Sequence, residues 1–253
     1  MTALSTRRPV TVITGAGRGI GAATARHLAE LGHDLVLGYL SDHAAVAEVA
    51  AHARAAGADV VSVAGDVRDP AVADRLFDAA TSLGPVTGLV NNAGLTAHIG
   101  DLADTPVEVI AHVVEANLLG TIWCARRAAQ EMSTARGGAG GSVVNVSSAA
   151  ATLGSPHEYV HYAAAKAGVE ALTVGLAKEL AAEGVRVNAV APGLVDTDIH
   201  AAAGDPDRLR RVVPRIPSGR VGQPEEIARA IAWLLGPESS YTNGAVLRVA
   251  GGL

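Results

Sequence analysis

Val10-Thr-Val-Ile13 runs straight into Thr14-Gly-Ala-Gly-Arg-Gly-Ile-Gly21, and a helical pattern follows through Ala22, Ala25, Leu28 and Leu31. A β-rich run, a glycine turn and a helix in that order bring backbone amides to a helix N-terminus, where a phosphate is favoured. Gly15, Gly19 and Gly21 fit the spacing TGxxxGxG rather than plain GxGxxG, and Gly17 is additional. A loose glycine cluster is weak evidence. One seated between a strand and a helix at the head of an alternating chain is strong.

The alternation continues to the end of the chain. Strand-like runs at Asp34–Tyr39, Val60–Val63, Gly88–Asn91, Ser142–Ser147, Val185–Val190 and Ala245–Val249 are separated by helical patterns. Those helices are expected over Asp42–Ala56, from Pro70 onward, over Pro106–Ala135, over Glu158–Ala182 and over Pro224–Leu235, with proline at a favoured early position in three of them. Apolar strands alternating with helices imply a parallel sheet covered on both faces, a doubly wound Rossmann-type α/β fold of seven strands. No linker or internal repeat divides residues 1–253, so one nucleotide-binding domain is expected. Residues 192–222 carry four prolines and five arginines with few strand or helix signals, and read as a mobile substrate-covering segment.

Composition narrows the classes. The chain has 253 residues, 49% of them hydrophobic but only 3% aromatic, so the core is built from Ala, Val, Leu and Ile. No uninterrupted apolar run approaches the ~18 residues of a membrane span, and no secretory segment opens the chain. Cys124 is the single cysteine, which rules out an internal disulfide and makes a reducing cytoplasm the expected compartment. The net charge of −5 and the dispersed basic residues give no nucleic-acid footprint. Nine histidines form no metal-ligand pattern: His157 and His161 are one helical turn apart but lack further ligands, and suit a helix-start surface.

Tyr162 and Lys166 stand at i and i+4, so on a helix they share a face. A phenol titrates near ~10, and lowering it by about three units requires roughly 4 kcal/mol. One ammonium about 4 Å away supplies on the order of 4 kcal/mol at an effective dielectric near 20, before its own desolvation. An oxidised nicotinamide would add a second positive charge. Taken alone, such a pair usually snorkels at a surface. Ser148, fourteen residues before Tyr162, adds a hydroxyl, and period-two geometry sends the adjacent Ser147 to the other side.

These residues, with Asp66, Asn91-Asn-Ala-Gly94, Asn117, Pro192-Gly193 and Val249-Ala-Gly-Gly252, resemble the short-chain dehydrogenase/reductase family nearly end to end. The resemblance implies an NAD(P)-dependent oxidoreductase acting on a ketone, aldehyde or secondary alcohol. In it Tyr162 is the acid/base, Lys166 lowers its pKa and bonds the nicotinamide ribose, Ser148 holds the carbonyl oxygen, and Asn117 anchors a proton-relaying water. It further implies cofactor contacts from Gly15, Arg18, Gly19, Ile20, Gly21, Asp66, Val67, Asn92, Ala93, Tyr162, Lys166, Pro192, Gly193, Val195 and Thr197. A homotetramer is implied as well, packed through the helix carrying Tyr162 and the long one before it, although their small residues could equally pack within one subunit.

An NAD-preferring member presents an acid at the tip of the second strand. Here the tip reads Gly38-Tyr39-Leu40-Ser41, with no carboxylate until Asp42, and Arg18 resembles the residue that faces a 2′-phosphate. NADP(H) is therefore expected, with NAD also usable. Tyr159 lies seven residues before Lys166, a spacing that resembles enoyl reductases of the same superfamily, but Ser148 and Asn117 suit a carbonyl centre and leave Tyr159 as a pocket wall. A nonenzymatic cofactor sensor on this fold would show losses in the catalytic group, and none is visible. His98 is a candidate for the substrate pocket, Cys124 for helix packing and Asn145 for strand support.

Overall fold

A computed structural model describes residues 8–197 and 208–253. Seven parallel strands form one sheet in the order β3-β2-β1-β4-β5-β6-β7. They are β1 (Val10–Ile13), β2 (Asp34–Tyr39), β3 (Val60–Ala64), β4 (Val86–Asn91), β5 (Gly141–Val146), β6 (Val185–Pro192) and β7 (Val246–Val249). The order reverses between β1 and β4, and there the carboxyl ends of the strands leave an open crevice.

Pleat alternation sorts the strand side chains between two cores. Ile13, Leu35, Leu37, Val90, Val144 and Val190 meet α1 (Gly19–Glu30), α2 (His43–Ala55) and the last helix (Pro224–Leu235) on one face. Their neighbours Val12, Val36, Leu89, Val143 and Val187 meet α3 (Pro70–Ala80) and two further helices on the other. Those two are α5 (Gly120–Met132) and α7 (Val160–Leu180); α4 (Val107–Val114) and the short α6 (Ala150–Leu153) precede them respectively, and α8 (Arg208–Val212) and α9 (Pro224–Leu235) follow among the described residues. Phe77, the only phenylalanine, is fully buried, and the rest of both cores is aliphatic apart from Cys124 and Met132.

Three elements differ from expectation. The helix expected over Pro106–Ala135 stops at Met132, and a π-turn over Glu115–Leu119 divides it. The cause is Asn117, whose Nδ2 donates to Val113 O at 2.8 Å and to Leu95 O at 2.7 Å, diverting the backbone ladder. The helix at Tyr162 begins at Val160 and not Glu158, because the preceding loop holds Ser155 and His157 at positive φ. The arginine-rich segment, expected to lack helix, contains α8 and a 3-10 turn over Val213–Arg215; residues 198–207, including His200, lie outside the described residues.

Val107–Met132 contains an 18-residue window with a mean hydropathy of 1.3, long and apolar enough by composition to cross a membrane. It is laid against the sheet and α3: Ala116, Cys124, Ala125, Ala128 and Met132 are buried, and Asn117 and Thr121 make their hydrogen bonds inside the fold. This is the arrangement of a core helix.

Candidate active site

A cleft of about 920 Å³ runs along the carboxyl ends of the strands, from the glycine loop to Tyr162 and on to Arg215. The glycines serve different ends. A Cβ on Gly21 would fall 2.2 Å from Gly15 O, and one on Gly15 would fall 2.9 Å from Ala93 Cα, so both are required by close packing of the loop. Asn92 braces the same loop, its Nδ2 donating to Thr14 O and Gly15 O at 3.0 Å each, while Thr14 Oγ1 accepts from the amides of Asn92 and Ala93. Gly19 takes φ +52 to open α1, and Arg18 at the N-cap makes no side-chain cap. The first amides of α1 therefore stay free of a capping side chain and border the cleft. Thr197 Cγ2 stands 3.1 Å from where a Gly19 Cβ would lie, which places Thr197 over this turn.

The adenosine end is bounded by the tips of β2 and β3. Asp42 caps α2 by accepting from Ala45 N at 3.0 Å, so its carboxylate is already engaged. Arg18 is exposed on the cleft wall and pairs with no carboxylate among the described residues. Asp66 is gripped by Arg68, whose Nη2 and Nε donate to Oδ2 at 2.6 and 2.9 Å; these bonds hold the carboxyl below its usual range. Val67 and the start of α5 meet closely, since a Cβ on Gly120 would lie 2.9 Å from Val67 Cγ2. These residues fit a dinucleotide: uncapped helix amides, an unpaired arginine and a cleft of suitable volume are present together.

At the far end of β5, the two serines part as the pleat requires. Ser147 Oγ donates to Glu170 Oε1 at 2.8 Å, whereas Ser148 Oγ accepts from Ala150 N at 3.1 Å and lines the cleft together with Tyr162. Tyr162 and Lys166 are 8% and 4% exposed, so desolvation governs both. Burial lifts the phenol above its ordinary value, and the nearby Ser148 hydroxyl opposes that rise. Burial pulls the lysine down to about 8. Lys166 Nζ donates to Val146 O at 2.8 Å and stands 5.7 Å from the centre of the Tyr162 ring. At that range an effective dielectric near 20 yields about 3 kcal/mol, less than the shift a neutral-pH base requires. Asn117 Oδ1 and Lys166 Nζ both approach Gly94, at 2.4 and 3.4 Å from where a Cβ would stand.

A family profile described as "Enoyl-(Acyl carrier protein) reductase" matches residues 15–253. The "Uncharacterized oxidoreductase YgfF" of Escherichia coli is 41% identical over 96% of this chain and 99% of its own length. "Cis-4-hydroxycyclohexanecarboxylate dehydrogenase" of Sinomonas cyclohexanicum is 42% identical over 96% and 95%. A crystal structure of a dehydrogenase/reductase from Sinorhizobium meliloti superposes with a TM-score of 0.89 at 31% identity, covering 98% and 96% of the two chains. The chain belongs to the short-chain dehydrogenase/reductase family. Its members' general chemistry, NAD(P)-dependent oxidoreduction, applies to it.

The short-chain dehydrogenase/reductase residues expected from the sequence fall around one cleft. Gly15, Arg18, Gly19, Ile20, Asp66, Val67, Asn92, Ala93, Asn117, Ser148, Tyr162, Lys166, Pro192, Gly193, Val195 and Thr197 line it, and Gly21 packs directly behind Gly15. Two histidines are placed differently from expectation. His98 turns from the cleft toward Gly100, leaving Thr96 and Ala97 as the lining residues. His161, expected at a surface, is 5% exposed, and burial lowers its pKa. Of the His157–His161 pair, His157 is the exposed member, where it meets Asp101 at 2.8 Å. Asn145 supports the strands as expected: Asn91 Nδ2 donates to its Oδ1, and its own Nδ2 donates to Thr173 Oγ1, both at 2.9 Å. Thr14 and Arg68 were missed. Each acts through contacts with residues distant in sequence or through a partner two residues away, which a motif of glycines does not reveal.

Proposed function

We propose that the protein is an NADP(H)-dependent oxidoreductase, able also to use NAD(H), that interconverts a ketone or aldehyde with the corresponding alcohol. The supporting observation is that Ser148, Tyr162, Lys166 and Asn117 line the same cleft as the glycine loop. The nicotinamide supplies the hydride in reduction and receives it in oxidation. Tyr162 gives its phenolic proton to the carbonyl oxygen, or takes it from the alcohol. Ser148 donates to the same oxygen and stabilises charge as it develops there. Lys166 steadies the phenolate, and a water between Lys166 and Asn117 returns the proton.

Arg18 supports the NADP preference, because it is free to meet a 2′-phosphate while Asp42 is committed to α2. The described residues of the segment expected to cover the substrate border the cleft through Leu194, Val212 and Arg215, and residues 198–207 lie outside the described residues. A homotetramer fits the apolar groove between α5 and α7, where Ile122, Ala129 and Leu176 lie among Arg126 and Glu179. Gly168 packs on Leu118 within the subunit, but Gly175 faces open space.

Tyr162→Phe is expected to abolish ketone reduction while NADPH still binds by fluorescence; Tyr159→Phe retains turnover. A wild-type level of reduction by Tyr162→Phe would overturn the assignment. Enoyl reduction is the second reading, favoured by the description of the matching profile and by Tyr159, whose ring lies 5.3 Å from that of Tyr162. A variant pair in which Tyr159→Phe stops reduction of an enoyl thioester and Tyr162→Phe does not would establish it instead.

A further inference from the structure

Three arginines line the cleft: Arg18, Arg68 and Arg215. Arg68 is spent on Asp66. Arg18 belongs to the phosphate end. Arg215 stands at the opposite end, and among the described residues nothing pairs with it. Its neighbours are engaged: Arg220 forms a fork with Glu226 at 2.7 and 2.8 Å, and Arg210 and Arg211 have partners.

The turn that carries Arg215 is anchored. Val212 and Ile216, on either side, are buried against Leu194 with Leu253 packed alongside. Ile216 N donates to Val213 O at 3.0 Å, and Ser218 N to Gly251 O at 2.9 Å. The surrounding wall is apolar, built from Leu153, Tyr159, Leu194, Val212 and Leu253. Glu158 also lines this half, but it already has a partner. Arg215 is an exposed residue at the edge of this apolar wall, and its guanidinium offers a fork of N–H donors with no carboxylate among the described residues to accept from it.

We propose that Arg215 is a specificity residue which binds an anionic group, a carboxylate by its fork geometry, on a substrate whose reacting carbon lies at Tyr162. The substrate class is thus an apolar ketone or alcohol bearing a carboxylate away from the reacting carbon. This rests on the hydride-transfer reading above.

Two measurements separate the two ideas. Initial rates with NADPH are compared for ketocarboxylates of increasing spacer length and for their methyl esters. The enzyme favours at least one acid over its ester by about tenfold or more in kcat/KM, the range of one charge-assisted contact. Arg215→Gln brings that ratio close to one, and Arg215→Lys restores part of it. Calorimetry of the NADP-loaded enzyme with hexanoate and hexanamide gives the same discrimination without turnover, again lost in Arg215→Gln. Discrimination in binding with no reduction of any carbonyl would sink the hydride-transfer reading and leave the anion site standing. Reduction with no preference for acid over ester, or a preference that Arg215→Gln leaves intact, would overturn the anion site.

Discussion

Lys166 illustrates how a functional residue can work against the fold that holds it. Its folded pKa, about 8, lies below the value near 10.4 of an exposed lysine, so between these the unfolded chain holds more protons. The resulting penalty is complete below about pH 8 and fades as pH rises toward 10.4. Lys166→Met removes it, at the cost of the bond to Val146 O. The expected result at neutral pH is a gain of about 1 to 3 kcal/mol, several degrees in midpoint, together with loss of hydride transfer. A variant less stable than the parent at pH 7 and unchanged at pH 10 would show that the buried ammonium is not a penalty. The sequence disclosed that Tyr162 and Lys166 share a face, because helical periodicity is local. It did not disclose which force dominates there, since burial of the phenol comes from Val113, Ala150, Tyr159 and Ala163 packing around it.

Among the elements, boundaries set by local chemistry were legible. β1, β2 and α9 begin and end where expected, α9 because Gln223, Pro224 and Glu226 build its capping box. The π-turn was not legible, for Asn117 bonds to Leu95 across 22 residues and nothing in its immediate neighbourhood signals that partner. Asp42 was legible as a helix start, and its role separates stability from cofactor choice. Asp42→Ala should cost about 1 kcal/mol through loss of the bond to Ala45 N and leave the ratio of NADP to NAD affinity nearly unaltered. Arg18→Ala should weaken NADP about tenfold or more and spare NAD. Cofactor titrations of both variants, with thermal melts of the first, test this; a large swing in the ratio caused by Asp42→Ala would mean that its carboxylate faces the ribose after all.

On the scale of the molecule, the glycine loop and the strand–helix alternation made the doubly wound sheet readable, but the pairing of distant groups fixes its acid tolerance. His33 sits at the turn into β2, where its Nδ1 meets Thr11 Oγ1 at 2.9 Å beside the Arg8–Asp34 pair. Burial, then the nearby Arg8 charge, lower its pKa from 6.5 to about 4, while Asp34 opposes them. A histidine that is neutral when folded and protonated when unfolded makes the unfolded chain the better proton binder. Stability is therefore full above about 6.5 and declines as pH falls toward about 4. Burial acts on His161 in the same direction, and the depressed Asp66 contributes only at still lower pH. His33→Asn keeps a hydrogen-bonding side chain next to Thr11 and removes the titration. Denaturant unfolding across this range should show the parent losing about 2 kcal/mol more than the variant by pH 4.5, with both curves parallel above pH 7. Parallel curves throughout would assign the acid sensitivity to other groups, and His161→Asn would then be the variant that flattens it.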